Sequence, residues 1–142
     1  MRKANVIVLI LTLVSVLLTV PQPEQTEVVE IADEGWVTFE ATAYTARCDG
    51  CTGITKTGVD IRESVMYEGL TVIAVDPDVI PLGSAVEIRL SDGAIIEGTA
   101  QDVGAAIKGR RIDIAHATKK AAYAFGRQDV EVRIINEYEA EE

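Results

Sequence analysis

Two stretches of the sequence decide the fold: IAVDPDVIPLGS at residues 73–84 and AQDVGAAIKGRRID at residues 100–113. The first is a β-branched run that ends at Asp76, directly before a proline. The second begins where another apolar run ends at Asp102, and it closes on Asp113 between two isoleucines. Apolar, β-branched runs that stop at turn-forming residues are typical of strands. We therefore expect Asp76 and Asp102 at strand ends and Asp113 inside a strand.

Alternating apolar and polar residues extend this pattern along the chain. Six short strands are predicted, over residues 37–44, 71–75, 86–90, 94–100, 111–115 and 130–135. One helix is predicted over residues 117–125, because the segment is rich in Ala and Lys and Gly126 follows it as a cap. Short strands in this number predict a mainly β fold, a small closed six-stranded barrel with one short helix.

Composition limits the classes of function. The chain has 142 residues, 48% of them hydrophobic, which suits one folded domain. Its net charge of −10 argues against nucleic acid as a partner, because a polyanion binder needs a basic face. Two cysteines are too few for a disulfide-dense scaffold.

The first 20 residues differ from the rest. Arg2 and Lys3 precede an uncharged, largely apolar run that reaches Val20, the pattern of an export signal. The run ends without the small residues of a signal peptidase site, so a cleaved signal peptide and a signal anchor both remain open. A buried helix of the domain is the third interpretation. The predicted organisation is a signal or anchor at 1–20, a linker at 21–35, the barrel at 36–136 and an acidic tail at 137–142. The protein is then extracytoplasmic, touching the membrane only through its N-terminal segment.

Cys48 and Cys51 are separated by two residues in a glycine-containing loop. In an exported domain a local disulfide is the simplest interpretation. A metal-bound or free pair is the alternative, with His116 as a third ligand, but no fourth ligand stands out for a tetrahedral zinc site. No metal and no cofactor are expected.

Asp113 needs a reason to stand inside a strand, where aspartate is disfavoured. A polar cleft on the outer face of a barrel is one reason, and a solvent-facing edge strand is the other. Asp76 and Asp102 have a simpler explanation, since aspartate before a turn commonly accepts backbone N–H bonds.

Together, however, these residues resemble the three-aspartate (3D) domain family. The resemblance rests on residues 73–84 and 100–113, with support from Thr42-Ala43-Tyr44, Thr55-Lys56-Thr57-Gly58 and Phe125-Gly126-Arg127, and it covers residues 39–135. One departure is Ala105, where family members usually have a second glycine after the second aspartate. The resemblance implies a double-psi β-barrel similar to the catalytic barrel of A-type membrane-bound lytic transglycosylases and of stationary-phase muralytic factors.

The implied activity is cleavage of the β-1,4 bond between N-acetylmuramic acid and N-acetylglucosamine in peptidoglycan, with a 1,6-anhydro product. The implied partner is therefore the glycan strand, and no oligomeric state is implied. The catalytic aspartates fall on Asp76, Asp102 and Asp113, with Asp113 as general acid and then base. Substrate contacts are carried over to Tyr44 and Thr57. Lys108 belongs either to a solvated basic loop or to a group that binds peptide-stem carboxylates.

Other functions compete with this one. A hydrolysing muramidase uses two carboxyl groups with separate roles, and three aspartates do not exclude it. A non-catalytic, expansin-like glycan-binding module usually needs an aromatic platform, which Trp36 and 5% aromatic content supply poorly. An aspartic protease is disfavoured because Val103 replaces the hydroxyl residue of its motif.

Overall fold

The computed structural model describes residues 35–135, which contain seven strands and one helix. The predicted N-terminal segment 1–20, the linker up to residue 34 and the acidic tail 137–142 lie outside the described residues. The strands are β1 Val37–Tyr44, β2 Met66–Tyr67, β3 Leu70–Ala74, β4 Ala85–Arg89, β5 Ile95–Asp102, β6 Arg111–Ala115 and β7 Gln128–Ile135, and the helix is α1 Lys119–Phe125.

Six of these strands close into a barrel. The order is β3-β5-β4-β7-β1-β6, and β6 pairs back onto β3. The pairs β1–β6 and β3–β5 are parallel, and the other pairs in the ring are antiparallel. The predicted mainly β, closed six-stranded barrel with one short helix is confirmed, and its mixed pairing agrees with the double-psi resemblance.

Alternate residues of each strand fill the barrel interior. On β6, Ile112 and Ile114 are almost completely buried, so the side chain of Asp113 between them projects from the outer face. The other core side chains come from every strand of the ring. They include Phe39, Ile73, Val86, Ile88, Ala100, Val130 and Val132.

A second, smaller apolar cluster lies outside the barrel. The segment between β1 and β2 contributes Ala46 and Ile61, which pack with Val72 of β3 and Ala115 of β6. Tyr44, at the end of β1, packs against the same cluster. This packing holds the long β1–β2 connection over the outer surface where β5 and β6 end.

Helix α1 begins two residues later than predicted. The Thr118 side chain accepts a hydrogen bond from the Ala121 N–H at 3.1 Å and so caps the first turn. Gly126 ends the helix with a φ of 66°, a conformation that favours glycine, and its N–H donates to the Ala122 carbonyl. No helix among residues 35–135 is long and apolar enough to cross a membrane.

Candidate functional site

Strand register brings Asp102 and Asp113 to opposite sides of one residue. Ala74 of β3 is paired with Asp102 in the parallel β3–β5 pair and with Asp113 in the antiparallel β3–β6 pair. Residues paired in register point to the same face of a sheet. The two aspartates are therefore two strand spacings apart, roughly 10 Å between Cα atoms, with both side chains on the outer face.

An irregularity in β5 is necessary for this arrangement. Ile73 is paired with Ala100, but the next residue of β3, Ala74, is paired with Asp102, so Gln101 is passed over. In a regular ladder Ala74 would be paired with Gln101, and Asp102 would point to the opposite face, because a shift of one residue reverses every side chain. The bulge thus turns Asp102 toward Asp113.

Asp113 lies half-buried next to Thr42 of β1, its partner in the parallel β1–β6 pair. The Thr42 hydroxyl donates to Asp113 Oδ1 at 2.9 Å. Burial raises the pKa of Asp113 above its ordinary value of 3.8, and the charge of Asp102 adds to the rise. The Thr42 hydroxyl and His116 act in the opposite direction but do not reverse the shift in this pKa. The structure therefore favours the protonated form of Asp113 more than water does.

Asp102 is held by three donors. Its Oδ1 accepts the N–H groups of Lys56 at 3.0 Å and of Val103 at 2.9 Å. Its Oδ2 accepts the Tyr44 hydroxyl at 3.1 Å. Burial and the nearby charges of Asp102 and Asp113 raise the pKa of Tyr44. The phenol therefore stays protonated and acts as the hydrogen-bond donor to Asp102. The carboxylate of Asp102 is accordingly fixed beside a second carboxyl group.

Thr57, which is predicted to contact substrate, anchors a loop in the structure. Its N–H donates to the Gln101 carbonyl at 3.1 Å, and its hydroxyl lies 2.6 Å from Gln101 Oε1. The preceding residue is Lys56, whose N–H holds Asp102. The turn at residues 55–58 is therefore attached to the end of β5, where it positions Asp102.

Asp76 joins two loops. Its Oδ1 accepts the Asp78 N–H at 3.1 Å, and its Oδ2 accepts the Gly109 N–H at 2.8 Å. These amide donors, Gly109 first, hold the pKa of Asp76 below its ordinary value, and the charge of Lys108 contributes. Both oxygens of Asp76 are thus bonded to backbone, and the carboxylate form is favoured. Register brings Asp102 and Asp113 together, whereas Asp76 and Lys108 are associated with the loop before β6.

Two cavities adjoin Tyr44, whose hydroxyl bonds to Asp102. The larger, of about 500 Å³, is lined by Thr42, Tyr44 and side chains of α1, and the smaller, of about 200 Å³, is lined by Tyr44 and Asp102. Tyr44 and Thr45 line both. The outer surface therefore has two depressions that share Tyr44. Asp102 lines the smaller one, and Thr42, which bonds to Asp113, lines the larger one.

Cys48 and Cys51 form a disulfide whose Cα atoms are 5.1 Å apart. Cys48 lines the larger cavity and Cys51 the smaller one. His116 donates its backbone N–H to the Tyr44 carbonyl at 2.8 Å, and its Nδ1 lies 2.9 Å from the Ile114 carbonyl oxygen. Within residues 35–135 no group of three or more His, Cys, Asp or Glu side chains is arranged to hold a metal ion.

Sequence reasoning missed three contributors to this site: the Thr42 hydroxyl, the Lys56 amide and His116. Thr42 carried a detectable signal, because it alternates with Tyr44 on one face of a strand. The Lys56 amide carried none, because a backbone donor has no side-chain signature. His116 comes directly after the strand that contains Asp113, and this position was a signal that the two side chains are near each other.

Comparison with known proteins identifies the domain. Residues 71–136 match the 3D domain family. Three Bacillus subtilis proteins align with 65–70% of this chain: YabE, named for cell wall shaping, at 45% identity, the SPbeta prophage-derived YorM at 48%, and the cell wall-binding protein YocH at 43%. The aligned part is 23% of YabE, 39% of YorM and 32% of YocH, so the chain spans less than half of each.

Solved structures superimpose on this chain at low sequence identity. An expansin from Clavibacter michiganensis superimposes with a TM-score of 0.52 at 14% identity, covering 72% of this chain and 52% of the expansin. A variant of that expansin, solved with cellohexaose, superimposes equally well. MltA from Escherichia coli superimposes with a TM-score of 0.47 at 20% identity, covering 57% of this chain and 26% of MltA.

Proposed function

We propose, for a chain that carries a 3D domain over residues 71–136, that the site around Asp113 cleaves the β-1,4 bond between N-acetylmuramic acid and N-acetylglucosamine in peptidoglycan. The reaction is a lytic transglycosylation, which leaves a 1,6-anhydro end. One observation carries the proposal: a half-buried carboxyl group with a raised pKa lies near a second carboxylate held by three donors. The names of YabE and YocH, which refer to the cell wall, support the substrate class.

Asp113 is the proton donor in the first step. The Thr42 hydroxyl donates to Oδ1, so the acidic proton belongs on Oδ2. That proton moves to the glycosidic oxygen as its bond to the anomeric carbon breaks, and the leaving sugar departs with a free C4 hydroxyl. A general acid works best when its pKa is near the working pH, and the raised pKa of Asp113 moves it in that direction.

Asp113 is the base in the second step. Its carboxylate accepts the proton of the C6 hydroxyl of the same muramic acid residue, and O6 bonds to the anomeric carbon. The ring closes without water, and the proton of the C6 hydroxyl returns Asp113 to its protonated form. One carboxyl group therefore serves both steps.

Asp102 stabilises the positive charge that develops at the anomeric carbon between the two steps. A carboxylate that is already fixed by donors does not have to reorganise when that charge appears. Its third donor, Tyr44, is a positioning residue, as is Thr42 for Asp113. Asp76 is proposed to position the loop before β6 through Gly109 rather than to transfer protons.

The test is mass analysis of products released from purified peptidoglycan by the full chain. We expect anhydro-muropeptides from the wild type and none from Asp113→Asn. Asp129→Asn is the matched control, since Asp129 is an exposed aspartate on β7 that lines neither cavity beside Tyr44, and it should retain full activity. Products one water heavier, with a reducing end, would indicate a hydrolysing muramidase instead.

A non-catalytic, expansin-like module is the second candidate, favoured by the superposition on expansin at a TM-score of 0.52. In that case the chain binds glycan through the same surface without breaking bonds. Peptidoglycan pull-down together with product analysis separates the two functions. Binding by the wild type and by Asp113→Asn alike, with no soluble product from either, would favour the module.

A further inference from the structure

The larger cavity has a second wall, which the proposed chemistry does not use. Helix α1 lines it with Lys119, Ala122 and Tyr123, and Gly126 follows at the same face. These residues are spaced i, i+3, i+4 and i+7, which places them on one side of a helix. The opposite wall contains Thr42, which bonds to Asp113. The cavity therefore reaches the residue that holds Asp113, and Asp113 itself is not part of its lining.

Tyr123 is exposed to an unusual degree for its size. Its side chain is 84% exposed, the highest value among the large hydrophobic residues that the structure describes. It makes no contribution to the core, where Phe125 of the same helix packs. A ring with a free apolar face at the edge of a cavity is a common feature of ligand sites.

The same wall is positively charged, in a protein whose net charge is −10. Lys119 and Arg127 both line the cavity. Lys119 forms no salt bridge within residues 35–135, while Arg127 lies 3.3 Å from Glu40 and remains mostly exposed. Asp49 contributes one carboxylate to the lining of the cavity. The cationic ends of Lys119 and Arg127 are available to an anion that enters beside Thr42.

We propose that this cavity is a subsite for an anionic sugar, whose ring packs on Tyr123 and whose carboxylate meets Lys119 and Arg127. The inference rests on the proposed function, because it states which sugar of the glycan strand binds next to Asp113. In peptidoglycan that sugar is the N-acetylmuramic acid residue. Its lactyl group ends in a carboxylate when the peptide is absent, and the peptide carries carboxylates when it is present. N-acetylglucosamine has neither and would lose this contact.

The experiment measures binding by calorimetry, using the full chain with Asp113→Asn so that ligand is not consumed. Three ligands are compared: a chitooligosaccharide, a muramic acid-containing oligosaccharide without peptides, and the same oligosaccharide with its peptides. Lys119→Gln is the test substitution, and Lys120→Gln is the control, because Lys120 is the next residue on α1 and does not line the cavity.

Lys119→Gln should weaken binding of the muramic acid ligands about 3- to 5-fold, the range of a solvent-exposed ion pair, and leave chitooligosaccharide binding unchanged. Tyr123→Ala should weaken all three ligands, by about 2- to 10-fold. If Lys119→Gln weakens binding of the peptide-free ligand alone, the lactyl carboxylate is the group that Lys119 meets. If it weakens binding of the peptide-bearing ligand alone, the group is a carboxylate of the peptide. Three results would overturn the subsite. They are an equal loss of affinity in Lys119→Gln and Lys120→Gln, a loss of affinity for chitooligosaccharide equal to that for the muramic acid ligands, and no binding of any muramic acid ligand. The proposed function is judged separately, by anhydro products from the wild type.

Discussion

Replacing Thr42 with valine tests how the site sets the protonation of Asp113. The substitution keeps the shape of the side chain and removes the hydroxyl that donates to Asp113 Oδ1 at 2.9 Å. This bond favours the ionised carboxyl and so lowers the pKa of Asp113, against the larger effect of burial. Without it the pKa should rise further.

The size of the effect follows from the bond. A hydrogen bond to a charged group contributes about 1.5–3 kcal/mol, and the half-exposed position of both partners argues for the lower end. Since about 1.4 kcal/mol is a factor of ten, the ratio of protonated to ionised Asp113 at a given pH should rise about tenfold in Thr42→Val.

The assay is the pH dependence of kcat/KM for release of anhydro-muropeptides. A reaction that needs protonated Asp113 loses rate as the pH rises through its pKa, and in Thr42→Val that loss should occur at higher pH. Thr38→Val, an exposed substitution at the other end of β1, is the control and should leave the profile in place. A profile of Thr42→Val that is unmoved, or moved to lower pH, would refute the assignment of Asp113 as the acid.

Three further substitutions test the remaining contacts. Asp113→Asn should raise Tm at pH 7. Because the pKa of Asp113 is raised in the folded protein, the wild type loses stability as the pH rises through that pKa, and asparagine does not ionise. The gain in Tm should therefore vanish as the pH falls below the ordinary aspartate value of 3.8. Tyr44→Phe removes one of three donors to Asp102 and should lower the free energy of unfolding by about 1.5 kcal/mol in urea denaturation, together with activity; unchanged activity would remove Tyr44 from the site. Asp76→Asn should speed hydrogen exchange at the Gly109 amide while retaining part of the activity, whereas complete loss with unchanged exchange would make Asp76 catalytic.

The strands of the barrel were predictable because they obey a simple pattern. Alternation located β1, β4 and β7 to within a few residues, and the two isoleucines around Asp113 correctly predicted that its side chain leaves the core. The hairpin strand β2 was missed, because two residues are too few to show a period. The end of α1 was predicted correctly because Gly126 is a recognisable cap. Its start was predicted two residues early, because Thr118 caps the first turn.

The site was less predictable than the fold, because it depends on pairing between distant strands. The bulge that passes over Gln101 decides which face Asp102 occupies, and nothing in the local sequence marks it. In the sequence Asp76 and Asp102 have similar surroundings, because each stands at the end of a predicted strand, before a turn. Only the structure separates them, since both oxygens of Asp76 accept backbone amides, whereas Asp102 also accepts the Tyr44 hydroxyl and is turned toward Asp113.

The most direct test of the account is an NMR titration of the side-chain carboxyl carbons in the wild-type protein. Asp113 should titrate above the ordinary aspartate value of 3.8, and Asp76 should titrate below it. If Asp113 titrates at or below that value, it cannot be the group that the outer face of the barrel keeps protonated for transfer to a glycosidic oxygen.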